Sequence, residues 1–328
     1  MRGFQSGVSA AVLLVGLMGC VVGGCAASGG AECSVGADCA SGVCQSNGRC
    51  LPLAEDGGLP PADGAPSGDA ASEDAATPDA GPASDAGARD AGGAGCVPNG
   101  DGVIRREEVP LMAGLRATFR VATDVTVDMA GEVLPDGRRR WDLSGPLEGD
   151  RDVLVDLRDP AGAWYAEDFP EATYVTELSA TEELLGVFQV GGSALRLLGV
   201  VSPDDGFTRT RLENDPAVDV LAFPLEVGER WTSEPSVSGL ALGAITAYSE
   251  DYVSEVDAAG ELVTPFGTTF EVLRVRTELE RTVGLLTTTV RTFAFVSECF
   301  GTVATVTSED DEDQVEFSRA AEVRRLAP

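Results

Sequence analysis

The side chains able to do chemistry in this sequence are thiols and carboxylates. The 328 residues include eight cysteines and 54 Asp plus Glu, against 23 basic residues that are all arginine. Histidine is absent, which removes Ser-His-Asp and Cys-His catalysis and the commonest zinc ligand. Lysine is absent too, which removes Schiff-base chemistry and the phosphate-loop lysine. Bridged cysteines would leave no thiolate nucleophile. Paired carboxylates, a tyrosine or a carboxylate-bound metal remain. The net charge of −31 argues against nucleic acid as a partner, because phosphate binding needs clustered basic residues.

Four groups of residues are candidates for chemistry. NGDGVIRREE, residues 99–108, resembles part of a calcium loop. Gly102 takes the sharp-turn position, Asn99 and Asp101 precede it, and Glu108 takes the bidentate position. Val97 stands at the first ligand position and Arg105 at the ninth, so calcium binding here would be weak; the competing reading is a turn followed by a short helix. No other cofactor is expected. The acids of SEDDEDQVEF, 308–317, read as a repulsive, solvated loop. Pairs such as Asp168 with Glu171, or Glu182 with Glu183, could supply a glycosidase acid and nucleophile, but sequence spacing does not fix the separation of roughly 5–9 Å that this chemistry needs. Trp164, Tyr165, Phe169, Tyr174, Phe223 and Trp231 read as core packing, or as the lining of a ligand groove or carbohydrate platform.

The first 24 residues have a basic start at Arg2, a short apolar run and a small-residue exit, the layout of a secretory signal. LMGC and VGGC, ending at Cys20 and Cys25, both resemble the bacterial lipobox. That resemblance implies cleavage before the cysteine and acylation of its thiol and amine, a stable membrane anchor when two or more chains are attached. Thiol parity separates the boxes. Cleavage before Cys20 leaves seven unacylated cysteines, whereas cleavage before Cys25 leaves six, which can all pair. Cys25 is therefore favoured over Cys20. Cleavage after Ala27 or Ala31, giving a secreted protein, also leaves six. Ala26 after Cys25 lacks the aspartate linked to inner-membrane retention, so outer membrane is the expected location.

Four parts follow from composition: a signal at 1–24, a lipid-anchor and cysteine segment at 25–53, a linker at 54–95, and a domain at 96–328. The cysteine segment, CSVGADCASGVCQSNGRC, is too short to bury a core and must be held by disulfides. Of three connectivities, the interlaced one is expected: Cys33 with Cys44 and Cys39 with Cys50. Its DCASGVC core resembles a disulfide motif of secreted Gram-negative lipoproteins. The linker repeats Asp-Ala units with Pro and Gly, and is expected to be disordered.

Residues 96–328 alternate with period two. In TFRVATDVTVDM, Phe119, Val121, Val125, Val127 and Met129 share one face. Similar runs, separated by the turn signals LPDGR, RDPAG, SPDDG, DAAGE and TVG, predict an all-β, mainly antiparallel domain: one large curved sheet, half-barrel or sandwich. One or two short helices are expected, in RREEVPLMAGL and in SATEELLGVF; the latter reads equally as a turn feeding a strand. The best-defined hairpin joins 269–281 to 285–298. On it, Phe270, Val272, Arg274, Arg276, Glu278 and Glu280 share a face whose Arg/Glu ladder should be solvated. The remaining thiols, Cys96 and Cys299, are expected to pair.

FPLEVGERW, TPFGTTFEVLRVRT, FVSECFGTVA and AAEVRRL are similar to an uncharacterised family of exported bacterial lipoproteins, over most of 96–328. In outline they also resemble periplasmic half-barrel proteins of the lipoprotein-carrier type, which implies a sheet curved around an apolar cavity. The leading expectation is a non-enzymatic, membrane-anchored lipoprotein whose β domain binds an apolar or carbohydrate ligand or serves a structural role. A carboxylate hydrolase acting on envelope or external polysaccharide is the alternative.

Overall fold

The computed structural model describes residues 96–328. The signal, the candidate lipidation sites Cys25 and Cys20, the cysteines at 33, 39, 44 and 50, and the linker all lie outside the described residues.

Alternating sequence becomes strand throughout the described chain. In order the strands are β1 (Arg116–Thr126), β2 (Glu132–Val133), β3 (Arg139–Asp142), β4 (Arg151–Asp156), β5 (Tyr174–Glu177), β6 (Leu185–Val190), β7 (Ala194–Val201) and β8 (Arg211–Ala222). There follow β9 (Arg230–Ser233), β10 (Ser236–Ala241), β11 (Ala244–Val263), β12 (Thr269–Val283), β13 (Leu286–Ser297), β14 (Gly301–Ser308) and β15 (Arg319–Leu326). They build one sheet in the order β4-β1-β15-β14-β13-β12-β11-β10-β8-β7-β6-β5. Pairing is antiparallel, except that β3 runs parallel to the end of β11. The ends of this order meet where Arg158, just past β4, and Val175 in β5 exchange backbone hydrogen bonds of 2.8 and 2.9 Å. The sheet is thus one curved structure nearly closed into a barrel, which shields its edges.

Apolar residues cover both faces of the central strands. On β12, Phe270 and Val272 pack with Trp141, Phe293, Phe295 and Phe317. Leu273 and Val275 point the other way and pack with Ile104, Tyr174, Phe188, Val256 and Val296. This second cluster joins β5 and β6 to β11, β12 and β13, so it fills space that the curvature encloses. Ile104 and Val109, buried in the segment before β1, help to fill it. The sheet therefore wraps packed side chains where the carrier resemblance implies an apolar hollow.

Three expectations are corrected, and SATEELLGVF, which reads either way, is resolved. The helix in RREEVPLMAGL is only a 3-10 turn, Arg106–Glu108, followed at once by extended Val109 and by Pro110, which cannot supply a helix hydrogen bond. SATEELLGVF takes its turn-then-strand form. DAAGE, read as a turn, lies inside the 20-residue β11. There a register shift at Val256/Ala258 absorbs the irregularity, and Gly260 admits β3: a Cβ on it would stand 1.9 Å from the Arg139 carbonyl oxygen. Finally, the ladder face of β12 is not uniformly solvated, because Arg274 is 2% exposed.

Candidate functional site

A cleft of about 500 Å³ opens between the β5–β6 loop, the β7–β8 loop and the β10–β11 turn. Its walls include Glu182, Leu184, Pro203, Arg209, Thr210 and Leu242. Local hydrogen bonds fix each loop. Thr181 N–H donates to Ser179 Oγ at 3.1 Å; Ser179 Oγ and Ala180 N–H both donate to Glu322 Oε2 at 3.0 Å. The helix-cap signal at Ser179 is therefore spent on a turn pinned to β15. In the SPDDG loop, Arg209 pairs with Asp205 at 2.6 Å and lies 5.6 Å over the Trp164 ring. Leu242 N–H donates to Thr210 Oγ1 at 3.2 Å, which joins the turn to the loop.

Glu182 is the electrostatically unusual residue of this cleft. Its Oε2 is buried without a hydrogen-bond partner. Burial pushes its carboxyl above the ordinary range; Arg281 opposes that shift and Glu322 adds to it. Behind it lies a paired group. Arg281 Nε donates to Glu250 Oε1 and Tyr252 Oη to Glu250 Oε2, each at 2.7 Å. The Arg281 guanidinium lies 5.3 Å over the Tyr248 ring. Burial, then the Glu250 charge, pushes the Tyr248 hydroxyl up to about 12.

Chemically, Glu182 can hold a proton and donate it into the cleft. A hydrolase needs a second carboxylate free to act as base or nucleophile. Glu250 is committed to Arg281 and Tyr252; Glu322 is committed to Ser179, Ala180 and, at 2.6 Å, Arg324. Glu183 and Asp204 also line the cleft, so carboxylates other than these two stand in the same cleft as Glu182. A second, more polar hollow of about 790 Å³ lies beside β6, β7 and β8, where Arg196 pairs with Asp219 at 2.9 Å.

The other residues singled out from the sequence fall elsewhere. Cys96 and Cys299 are bonded, with α-carbons 5.6 Å apart. The adjacent backbone is tied in as well: Asn99 N–H donates to Glu298 Oε2 at 2.5 Å and Cys299 N–H to the Glu108 carbonyl at 2.7 Å. Asn99, Asp101 and Glu108 do share one loop, but their oxygens serve its own donors. Asp101 accepts from Arg105 Nη1 at 2.8 Å and Val103 N–H at 2.9 Å; Glu108 accepts from Asn99 Nδ2 and Arg105 N–H, both at 2.7 Å. The Arg105 guanidinium supplies the positive charge of this loop. Asp168 pairs with Arg211, while Glu171 accepts from Gln189 Nε2 at 2.8 Å, so these two carboxylates serve separate partners. Tyr165 and Phe169 are core residues packed with Val175, Leu185 and Val201. Trp231 donates to the Asp219 carbonyl at 2.8 Å.

Sequence reasoning missed Arg209, Glu250 and Arg281. Only Arg281 carried a signal, as an arginine at the polar end of a hairpin strand. Among the described residues no helix is long and apolar enough to cross a membrane. No family model matches the chain, and no curated protein or solved structure matches it either.

Proposed function

We propose that this chain is an exported lipoprotein of the cell envelope, anchored in the outer membrane through Cys25, whose β domain binds a small ligand in the Glu182 cleft without transforming it. The Cys96–Cys299 bridge carries the export half of this reading, since disulfides persist outside the reducing cytoplasm. The cleft supports the binding half: Leu184, Pro203 and Leu242 offer apolar contact, while Glu182, Arg209 and Thr210 offer hydrogen bonds. A carbohydrate, or a molecule with one apolar and one polar end, fits that mixture. Mass spectrometry of the mature N-terminal peptide tests the anchor. Acylated Cys25 is expected; an unacylated start at Ser28 or Glu32 refutes it. Calorimetric titration with oligosaccharides and fatty acids tests the cleft. Saturable heat that is lost in Arg209→Ala is expected, and heat unchanged by that substitution removes the cleft from binding.

One observation favours the hydrolase alternative: the Glu182 carboxyl holds its proton beyond the ordinary range, as a general acid must. Release of reducing sugar from an envelope polysaccharide, abolished in Glu182→Gln, would establish it over binding alone.

A further inference from the structure

Five large apolar side chains stand in solvent at one end of the barrel. Phe207 is 100% exposed, Leu285 101%, Ile245 91%, Leu286 73% and Leu242 61%. The pairing register brings them together. Leu240 pairs with Ile245 across the β10–β11 turn, and Val283 pairs with Leu286 across the β12–β13 turn. Ser249 pairs with Thr282, so these two turns project from neighbouring strands in the same direction. Phe207 joins them through the β7–β8 loop, where Gly243 N–H donates to the Arg209 carbonyl at 2.9 Å.

On the β10–β11 and β12–β13 hairpins charge stops below these tips, while Asp204, Asp205 and Arg209 stand in the Phe207 loop and Arg211 pairs with Leu240 on β10. The stretches 235–249 and 282–290 hold no charged residue, in a chain that is 23% charged. Glu250 pairs in register with Arg281, and that is the first charged level on both strands; Ser249, Thr282 and Thr287 form a neutral belt above it. Apolar tips over a neutral hydroxyl belt match the layering of a bilayer interface. The side chains stand on separate turns, an arrangement that suits a fluid apolar layer better than a rigid partner. Asp204 and Asp205 beside Phe207, with the net charge of −31, disfavour an anionic surface.

We propose that this end of the barrel dips into a zwitterionic lipid bilayer, the one that holds the chain's own acyl anchor. The choice of membrane rests on the anchor reading above; the insertion itself does not. Geometry allows the approach. Cys96 is bonded to Cys299, beyond the end of β13 opposite to Leu286, so the tether joins the far end. Seventy residues separate Cys25 from Cys96. A coil of that many residues spans about 45 Å, comparable to the roughly 40 Å rise of a 12-residue strand such as β13. Leu242 also lines the Glu182 cleft, which places the mouth of that cleft beside the lipid.

The test uses the mature, acylated protein on phosphatidylcholine vesicles. Phe207→Trp, Ile245→Trp and Leu285→Trp keep each tip apolar and report its surroundings. The expected result is a blue shift of the added indole and its quenching by brominated acyl chains. Val133→Trp, exposed on β2 near the other end of β11, should show neither. Tip indoles that stay solvent-exposed while the protein sits on vesicles would overturn the proposal. If the protein proves unacylated, residues 26–328 are added to the same vesicles at high lipid. A blue shift then upholds insertion without the anchor, and its absence rejects insertion. A blue shift without lipid, together with doubled sedimentation mass, would make this end a contact between two copies and also overturn it.

Discussion

Arg274 grips Asp257 through two parallel hydrogen bonds, Nε to Oδ1 and Nη2 to Oδ2, each 2.8 Å long. Glu316 accepts from Nη1 and Nη2 at 3.1 and 2.7 Å, and the Met129 carbonyl accepts from Nη1 at 2.7 Å. The guanidinium lies 4.3 Å over Phe293 and 5.2 Å over Trp141. Burial opposes its charge, but the bonds to Glu316 and Asp257 outweigh burial, so it stays protonated. One residue thereby ties β11 and β12 to the arm before β2 and to the acidic loop before β15.

Removing one partner of such a buried group leaves the others uncompensated, at a cost of about 3–5 kcal/mol. Arg274→Met should lower the urea midpoint strongly. Glu316→Gln should lower it less, because Glu316 is partly solvated and Asp257 remains. Equal midpoints for Arg274→Met and the unaltered protein would contradict this account.

The Cys96–Cys299 bridge closes a separation of 203 residues. In the chain-entropy model a loop of this size stabilises the fold by about 5 kcal/mol. Reduction, or Cys96→Ser with Cys299→Ser, should lower Tm without changing the far-ultraviolet circular dichroism at low temperature. Peptide mapping without reductant should recover the pair as one linked species.

All four tyrosines have hydroxyls raised above their ordinary value. Burial is the leading cause at Tyr165, Tyr174, Tyr248 and Tyr252. Absorbance at 295 nm should therefore show no tyrosinate step near pH 10 in the native protein. In guanidinium all four should titrate there. A group raised in the folded state makes folding favourable below its unfolded value and less so above it, so stability should fall as pH rises beyond about 10.

The loop at 99–108 makes an opposite kind of prediction. The Arg105 hydrogen bond, followed by the Val103 N–H, holds the Asp101 carboxyl below its ordinary range. Calcium would have to displace that guanidinium. Arg105→Ser should therefore bind calcium more tightly than the parent chain, as read by calorimetry. Equal heats from both would mean that the arginine does not guard the loop.

Strand pattern was legible because alternation is local. GTVATVTS became β14 residue for residue, and the hairpin at 269–298 formed as β12 and β13. What alternation does not encode is what covers a face. Arg274 shares its side of β12 with Phe270 and Val272, yet its cover comes from Trp141 and Glu316, distant in sequence. DAAGE has turn composition, but β3 arrives to pair with it. The acidic run at 308–317 read as solvated repulsion; instead Glu316 holds Arg274, and Glu309 pairs with Arg319 at 2.5 Å. Glu182 was visible only beside Glu183, whereas its electrostatic neighbours, Arg281 and Glu322, come from β12 and β15.

The single bridge between Arg158 and Val175 makes the barrel a cylinder whose edge strands share only two backbone hydrogen bonds along one seam, with side chains such as Arg151, Arg324 and Glu322 reaching across beside them. Amide exchange should start there, at Arg158 and Val175, before it reaches the long ladders of β11 and β12. What such opening uncovers is short and mixed in charge: Arg151, Asp152, Asp156 and Arg158 stand on one lip and Glu177 on the other, where it pairs with Arg158 at 3.8 Å. With β4 and β5 only six and four residues long, a transient gap offers a second chain few backbone partners, while the Arg158–Glu177 pair favours reclosure.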